Sequence, residues 1–187
     1  MNALQPTLWR TCRVLAHPVR IDILRELLKE PRSVTLLADT LNIAVSVAST
    51  YLRALSASGL IQNVQQGRFV VYSATPNPHV EHSPEIFEAL RTVIENGIGN
   101  AAIIQEATAF THPRRIEIVR ALQGAPRDPT ALSTATGIPL LSLGRHIGKL
   151  VKREIIGQTD SCCHLLEPKN VLAATLMAIA LDQVIPA

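Results

Sequence analysis

The sequence predicts a mainly α-helical protein that carries small β-hairpins and uses one supersecondary unit twice. Three observations predict it. The run His17-Pro18-Val19-Arg20-Ile21-Asp22-Ile23-Leu24-Arg25 returns as His112-Pro113-Arg114-Arg115-Ile116-Glu117-Ile118-Val119-Arg120, and the register then holds without a gap. Pro31, Arg32, Leu37, Ile43, Leu55 and Ile61 match Pro126, Arg127, Leu132, Ile138, Leu150 and Ile156, a constant offset of 95 from His17 to His112 onward. Apolar side chains recur at helical spacing and are interrupted by proline. A β-branched and aromatic stretch folded about Gly67 follows the helices of the first copy, and a shorter stretch follows those of the second. A unit of this length, present only in duplicate, reads as two tandem domains, 1–96 and 97–187. A stacked solenoid needs at least about three short repeats.

The elements follow in order. Pro6 opens a segment through Ala16, and Pro18 stands just inside the next helix, where its fixed φ and missing N–H do no harm. Ile21, Leu24, Leu27 and Leu28 form an apolar stripe of helical period, a helix of about three turns. Pro31 ends it. Ser33 is placed to cap a short helix through Leu41, and the turn at Asn42-Ile43 leads into a third helix from about Val45. On that helix Ala48, Leu52 and Leu55 share one face, and Ser46, Ser49, Thr50 and Arg53 share the opposite one. Gly59 stands where a helix C-terminus takes a left-handed residue. Residues 64–73 form a hairpin turning near Gly67. Helix, short helix, turn, helix and hairpin together make a winged helix-turn-helix.

Composition allows this fold. At 187 residues the chain suits two domains, each small enough to draw stability from packing on the other. The hydrophobic share of 47% excludes a disordered protein. The longest apolar run, Val171 to Leu181, is shorter than the about 20 residues that span a bilayer, so no membrane partner is expected. Arg10 and Arg13 lie where a secretory signal needs its apolar segment, and three cysteines without framework spacing argue against structural disulfides, so a cytoplasmic location is expected. A net charge of +3 permits a polyanionic partner without demanding one.

The motifs resemble the bacterial ArsR family of transcriptional regulators. His17-Pro18-Val19-Arg20-Ile21-Asp22-Ile23-Leu24 is similar to the family's opening "HPxRlxIL". Ser49-Thr50-Tyr51-Leu52-Arg53-Ala54-Leu55 with Ser58-Gly59-Leu60-Ile61 is similar to its recognition-helix signature "SxHLxxLxxAGLI". The resemblance covers residues 8–96 well and 98–183 more loosely, with His146-Ile147 where the family has His-Leu. It implies a DNA-binding regulator, with repression as the usual outcome. The family dimerises through its first and last helices. By that resemblance this chain is two winged helix-turn-helix domains fused into an intrachain pseudo-dimer hinged at Gly97-Ile98-Gly99. The helices at 84–95 and 168–183 close the two halves, and the second is apolar nearly all round. A homodimer with four winged units is equally permitted.

Double-stranded DNA is the expected partner. A helix with small polar side chains outward fits the major groove, and a cation on a hairpin tip can lie on the neighbouring backbone or minor groove. Ser46, Ser49, Thr50 and Tyr51 are the candidate readers, and Arg53 and Arg68 the candidate cations. Tyr51 also reads as partly core. In the second copy Leu141, Gly144 and Gly148 replace Ser46, Ser49 and Arg53, while Arg145, Lys149 and Lys152 lie along one side with His146 and Arg153 beside them. That stripe suits phosphates better than bases. The second wing is expected to be stunted.

No metal and no cofactor are expected. The family's paired cysteines are absent from residues 34–41, where only Asp39 is a ligand type. His79, Glu81, His82 and Glu85, and the run Cys162-Cys163-His164, have ligand-like spacing but incomplete sets. His17 and His112 read as structural caps, and Cys12 as a buried small hydrophobe. No nucleophile–base pair, phosphate-cradling loop or zinc-enzyme motif is present, so an enzyme is not expected. The alternative is a winged-helix module that binds protein and not DNA.

Overall fold

The computed structural model describes residues 7–67 and 69–182. The first copy contains α1 (Leu8–Leu15), α2 (Pro18–Lys29), β1 (Arg32–Ser33), α3 (Val34–Thr40), α4 (Val45–Ala57), β2 (Gln62–Gln66), β3 (Phe69–Ser73) and α5 (Ser83–Glu95). The second contains α6 (Asn100–Ala109), α7 (Pro113–Ala121), α8 (Pro129–Thr136), α9 (Leu140–Lys152), β4 (Ile156–Thr159), β5 (Cys162–Leu165) and α10 (Val171–Asp182). The fold is mainly helical, with two small antiparallel sheets. Pro6 and Gln183, the outer limits expected for the first and last helices, lie outside the described residues. The last helix begins at Val171 and not at Pro168, because Asn170 caps it: its Oδ1 accepts from the backbone N–H of Leu172 at 2.9 Å and Ala173 at 3.1 Å.

Local chemistry sets the other boundaries. Ser33 Oγ accepts from Leu36 N–H at 3.3 Å and starts α3, and Asp128 Oδ1 accepts from Thr130 and Ala131 N–H and starts α8. α4 ends in a double-bonded cap. Leu60 N–H reaches back to Leu55 C=O at 3.1 Å and Gly59 N–H to Ser56 C=O at 2.9 Å, with Gly59 at φ +76°. α9 ends the same way, Ile155 to Leu150 and Glu154 to Val151, but with Glu154 in the left-handed position at φ +58°.

The two sheets differ in size. The first is a three-stranded sheet in the order β1-β3-β2, whose edge strand β1, pairing Arg32 with Tyr72 and Ser33 with Val71, has no signal in the sequence. The second has two strands of four residues against five, joined by Asp160-Ser161 with both φ positive, the requirement of a type I′ hairpin. A single bridge from Arg127 to Cys163 stands where β1 would be.

The packing joins the two halves of the chain. One hydrophobic cluster runs from Leu8, Cys12 and Leu15 through Leu52 and Leu55 to Ile103, Phe110, Ile147 and Leu176. α1 lies on α6, and α10 lies on α5, α6 and α7. α10 buries Leu172, Leu176, Met177 and Ile179, each contributing about 1.5–3 kcal/mol of transfer free energy, and exposes Ala174 and Ala178. The segment Gly97-Ile98-Gly99, expected to be a hinge, is clamped. Arg25 donates from Nη2 to Ile98 C=O and from Nε to Asn100 Oδ1 at 2.9 Å, and Asn100 Nδ2 donates to Asp22 Oδ1 at 2.6 Å. A second tie across the cluster runs from Arg120 Nε to Ala180 C=O at 2.8 Å.

Candidate nucleic-acid interface

α3 and α4 meet at 114° across a four-residue turn, within the angular range of helix-turn-helix units. The turn is built like the helix ends: Ile43 N–H bonds Ala38 C=O and Asn42 N–H bonds Asp39 C=O, with Asn42 left-handed at φ +51°. This fixes which face of α4 looks outward. Ala48, Leu52 and Leu55 are fully buried, Ser46, Thr50 and Arg53 are exposed, and Ser49 is half-buried between them. Thr50 Oγ1 donates to Ser46 C=O at 2.9 Å. Arg53 folds back along the helix, donating to Ser49 C=O at 3.4 Å and to Thr50 Oγ1 at 3.3 Å. The two Arg53 contacts are longer than a normal hydrogen bond, so its guanidinium remains available to an incoming acceptor.

Tyr51 is placed differently from Ser46, Thr50 and Arg53. It is half-buried against the start of α2, its hydroxyl 3.1 Å from His17 Nε2 and its ring beneath the Arg20 guanidinium at 5.2 Å. Expected both as a reader and as partly core, it lies half-buried beside the open face of α4. His17 therefore meets Tyr51 and makes no side-chain cap, whereas His112 does cap, its Nδ1 accepting from Arg114 N–H at 3.1 Å. The wing presents Asn63, Gln65 and Gln66 to solvent together with Val64. Arg68, the candidate cation at its tip, lies outside the described residues.

On α9, Arg145, Lys149 and Lys152 are exposed, and Arg145 Nη2 reaches Ser142 Oγ at 3.5 Å. His146 is half-buried with its ring 4.7 Å from that of His112, so it faces inward from the cationic stripe. Burial first, then His112 and the neighbouring cations, push its pKa down to about 4. Arg153 is committed to structure, donating to Thr108 Oγ1 at 2.7 Å and to Lys149 C=O at 3.1 Å. Leu140 and Leu141, at the start of α9 where α4 has Val45 and Ser46, are 54% and 81% exposed.

The donors with ligand-like spacing do not converge. Among the described residues no three His, Cys, Asp or Glu side chains gather to hold a metal ion. Cys163 is fully buried, and burial raises the pKa of both it and Cys12. No single helix among the described residues is long and apolar enough to cross a membrane.

Comparison with known proteins is consistent with this geometry. No solved structure matches the chain. Over 70 residues the chain is 36% identical to the HTH-type transcriptional repressor SmtB of Mycobacterium tuberculosis, in both strain CDC 1551 / Oshkosh and strain ATCC 25618 / H37Rv. The aligned stretch is 37% of this chain and 51% of the relative, so the chain spans about half the length of the curated relatives it matches. Residues 15–63, the last residue of α1 through α4 and into β2, match a family described as a helix-turn-helix domain.

Proposed function

We propose that this chain is a DNA-binding transcriptional regulator, and a repressor, in which α4 enters the major groove and the β2–β3 wing lies on the adjacent backbone. The outward polar face of α4 carries the reading: Ser46, Ser49, Thr50 and Arg53 stand on the side opposite Ala48, Leu52 and Leu55, on the second helix of a unit whose sequence matches a helix-turn-helix domain. Similarity to a transcriptional repressor supports the direction of regulation. Ser46, Ser49 and Thr50 read base edges, Arg53 and Arg68 hold phosphates, and Tyr51 positions the helix from behind.

The two copies, 1–96 and 97–187, act as domains of an intrachain pseudo-dimer. The pairing of α1 with α6 and of α5 with α10 supports this, since each terminal helix meets its own counterpart from the other copy. The second copy supplies electrostatic grip through Arg145, Lys149 and Lys152. Its apolar helix start at Leu140 and Leu141 is unsuited to base edges and favours contact with protein at that end.

Selection of bound sequences from random duplex DNA at two salt concentrations tests the reading, with an enriched motif the expected result. Replacing Arg145 and Lys149 by Ala should lower affinity and reduce the slope of log K on log salt by about 0.9 for each phosphate that is no longer neutralised, with the enriched sequence unchanged. Absence of any salt-dependent binding refutes the function, and a changed sequence preference refutes the division between copies.

A further inference from the structure

A pocket of about 460 Å³ opens where α1, the α6–α7 turn and α9 meet. Its charged lining is of one sign: Arg13, Arg115, Lys149 and Arg153 face it, and no Asp or Glu does. Arg115 is only 4% exposed, donates from Nη2 to Thr111 Oγ1 at 2.5 Å, and leaves its buried Nε without a partner. Among the described residues none of these four cations pairs with a carboxylate. A buried guanidinium without counter-charge is costly, and burial together with Arg153 lowers its pKa to about 10. The positive end of α7 adds to the same field.

The equivalent position of the first copy is surrounded differently, although the Arg20 Nε there is also buried without a partner. Arg20, the counterpart of Arg115, lies over the Tyr51 ring and donates to the carbonyls of Arg13 and Val14 at the end of α1. At the position of Tyr51 the second copy has His146, a smaller ring without the hydroxyl, and the space beside it is part of the pocket. Arg115 is thus the more deeply buried of the two, bonded to the Thr111 hydroxyl where Arg20 reaches two backbone carbonyls, and with an imidazole in place of the phenol ring.

We propose that this pocket binds a small oxyanion, a metabolite bearing a phosphate or carboxylate group, whose charge completes the coordination of Arg115. Its volume falls in the range of about 300–1,000 Å³ usual for small-molecule sites. Arg13 and Lys149, from different elements, close on the anion from the sides. Because Lys149 belongs to α9, an occupant is linked to the helix assigned to phosphate contact; the site itself stands on Arg115 and needs no DNA.

Trp9 is the only tryptophan of the chain and lines the pocket, so its fluorescence is the readout. The full chain, without DNA, is titrated with inorganic phosphate and separately with benzoate, against sodium chloride at equal ionic strength. A saturable change with either anion, absent with chloride and at least tenfold weaker in Arg115→Met, is expected. His146→Tyr, which copies the first half and keeps a ring pair the chain already tolerates, should abolish the response while circular dichroism stays native. A response no different from chloride, or one that persists in both variants, overturns the proposal. So does an Arg115-dependent change produced by duplex DNA and by neither small anion, which would make the pocket part of the nucleic-acid surface. With no DNA in the small-anion arms, their failure leaves the DNA-binding reading standing.

Discussion

Gly144 and Gly148 sit in the interior of α9, one turn apart on its exposed side, and a Cβ built on either meets no heavy atom within 4 Å. Glycine in a helix interior costs about 0.8–1 kcal/mol relative to alanine, through the backbone entropy lost on folding. With no steric term to offset that gain, the double substitution Gly144→Ala/Gly148→Ala should stabilise the fold by about 1.5–2 kcal/mol. For a chain of this size each kcal/mol moves the melting temperature by about 2–4 °C, so a rise of about 3–8 °C is expected when helix content is followed by circular dichroism. The same protein, measured for duplex binding by fluorescence anisotropy, reports on function. If α9 lies against phosphates, two added methyl groups next to Arg145 and Lys149 hold the backbone away and weaken binding several-fold while the fold gains. An unchanged or lowered melting temperature would refute the argument that the exposed face of α9 is open.

Other outcomes follow from the same geometry. Gly59→Ala should destabilise by about 2–4 kcal/mol in urea unfolding, because φ is +76° there and the added Cβ would stand 2.7 Å from Val80 Cβ and 2.8 Å from Ser83 Oγ. Leu176→Ala, fully buried in α10, should cost about 2–5 kcal/mol in the same assay. Arg53→Ala should weaken duplex binding and flatten its salt dependence by about one ion with little change in melting temperature. The fold should lose stability as pH falls from about 6.5 toward about 4, because the unfolded chain protonates His146 first while the folded chain holds it neutral. His17 and His112 are shifted the same way by burial and act in the same direction. His146→Tyr should remove part of that slope, readable as a shallower dependence of the urea midpoint on pH.

The helices are legible in the sequence because their signals are local: proline at α2 and α7, Ser33 before α3, an apolar face on α4 built from Ala48, Leu52 and Leu55. Ile23 does not stand out as core because it lies off the stripe that Ile21, Leu24 and Leu27 define, yet it is fully buried. The outward face of α4 can be read from its periodicity. The role of Tyr51 cannot, since its hydroxyl meets His17 across 34 positions. The clamp on Ile98 by Arg25 spans 73 positions, and two glycines around Ile98 give the opposite impression, of freedom. The pocket around Arg115 is hidden for the same reason: each of its cations looks ordinary alone, and their convergence without a carboxylate exists only in three dimensions.

The exchange of Tyr51 for His146 between otherwise matching positions has a consequence for how this protein varies. In an assembly of identical subunits every mutation is imposed twice, so a favourable cavity in one place is an unfavourable cavity in its mirror position. In the proposed pseudo-dimer both positions are encoded separately. One copy can keep a braced, polar helix while its sibling drifts toward another task, and nothing the chain contacts has to be palindromic.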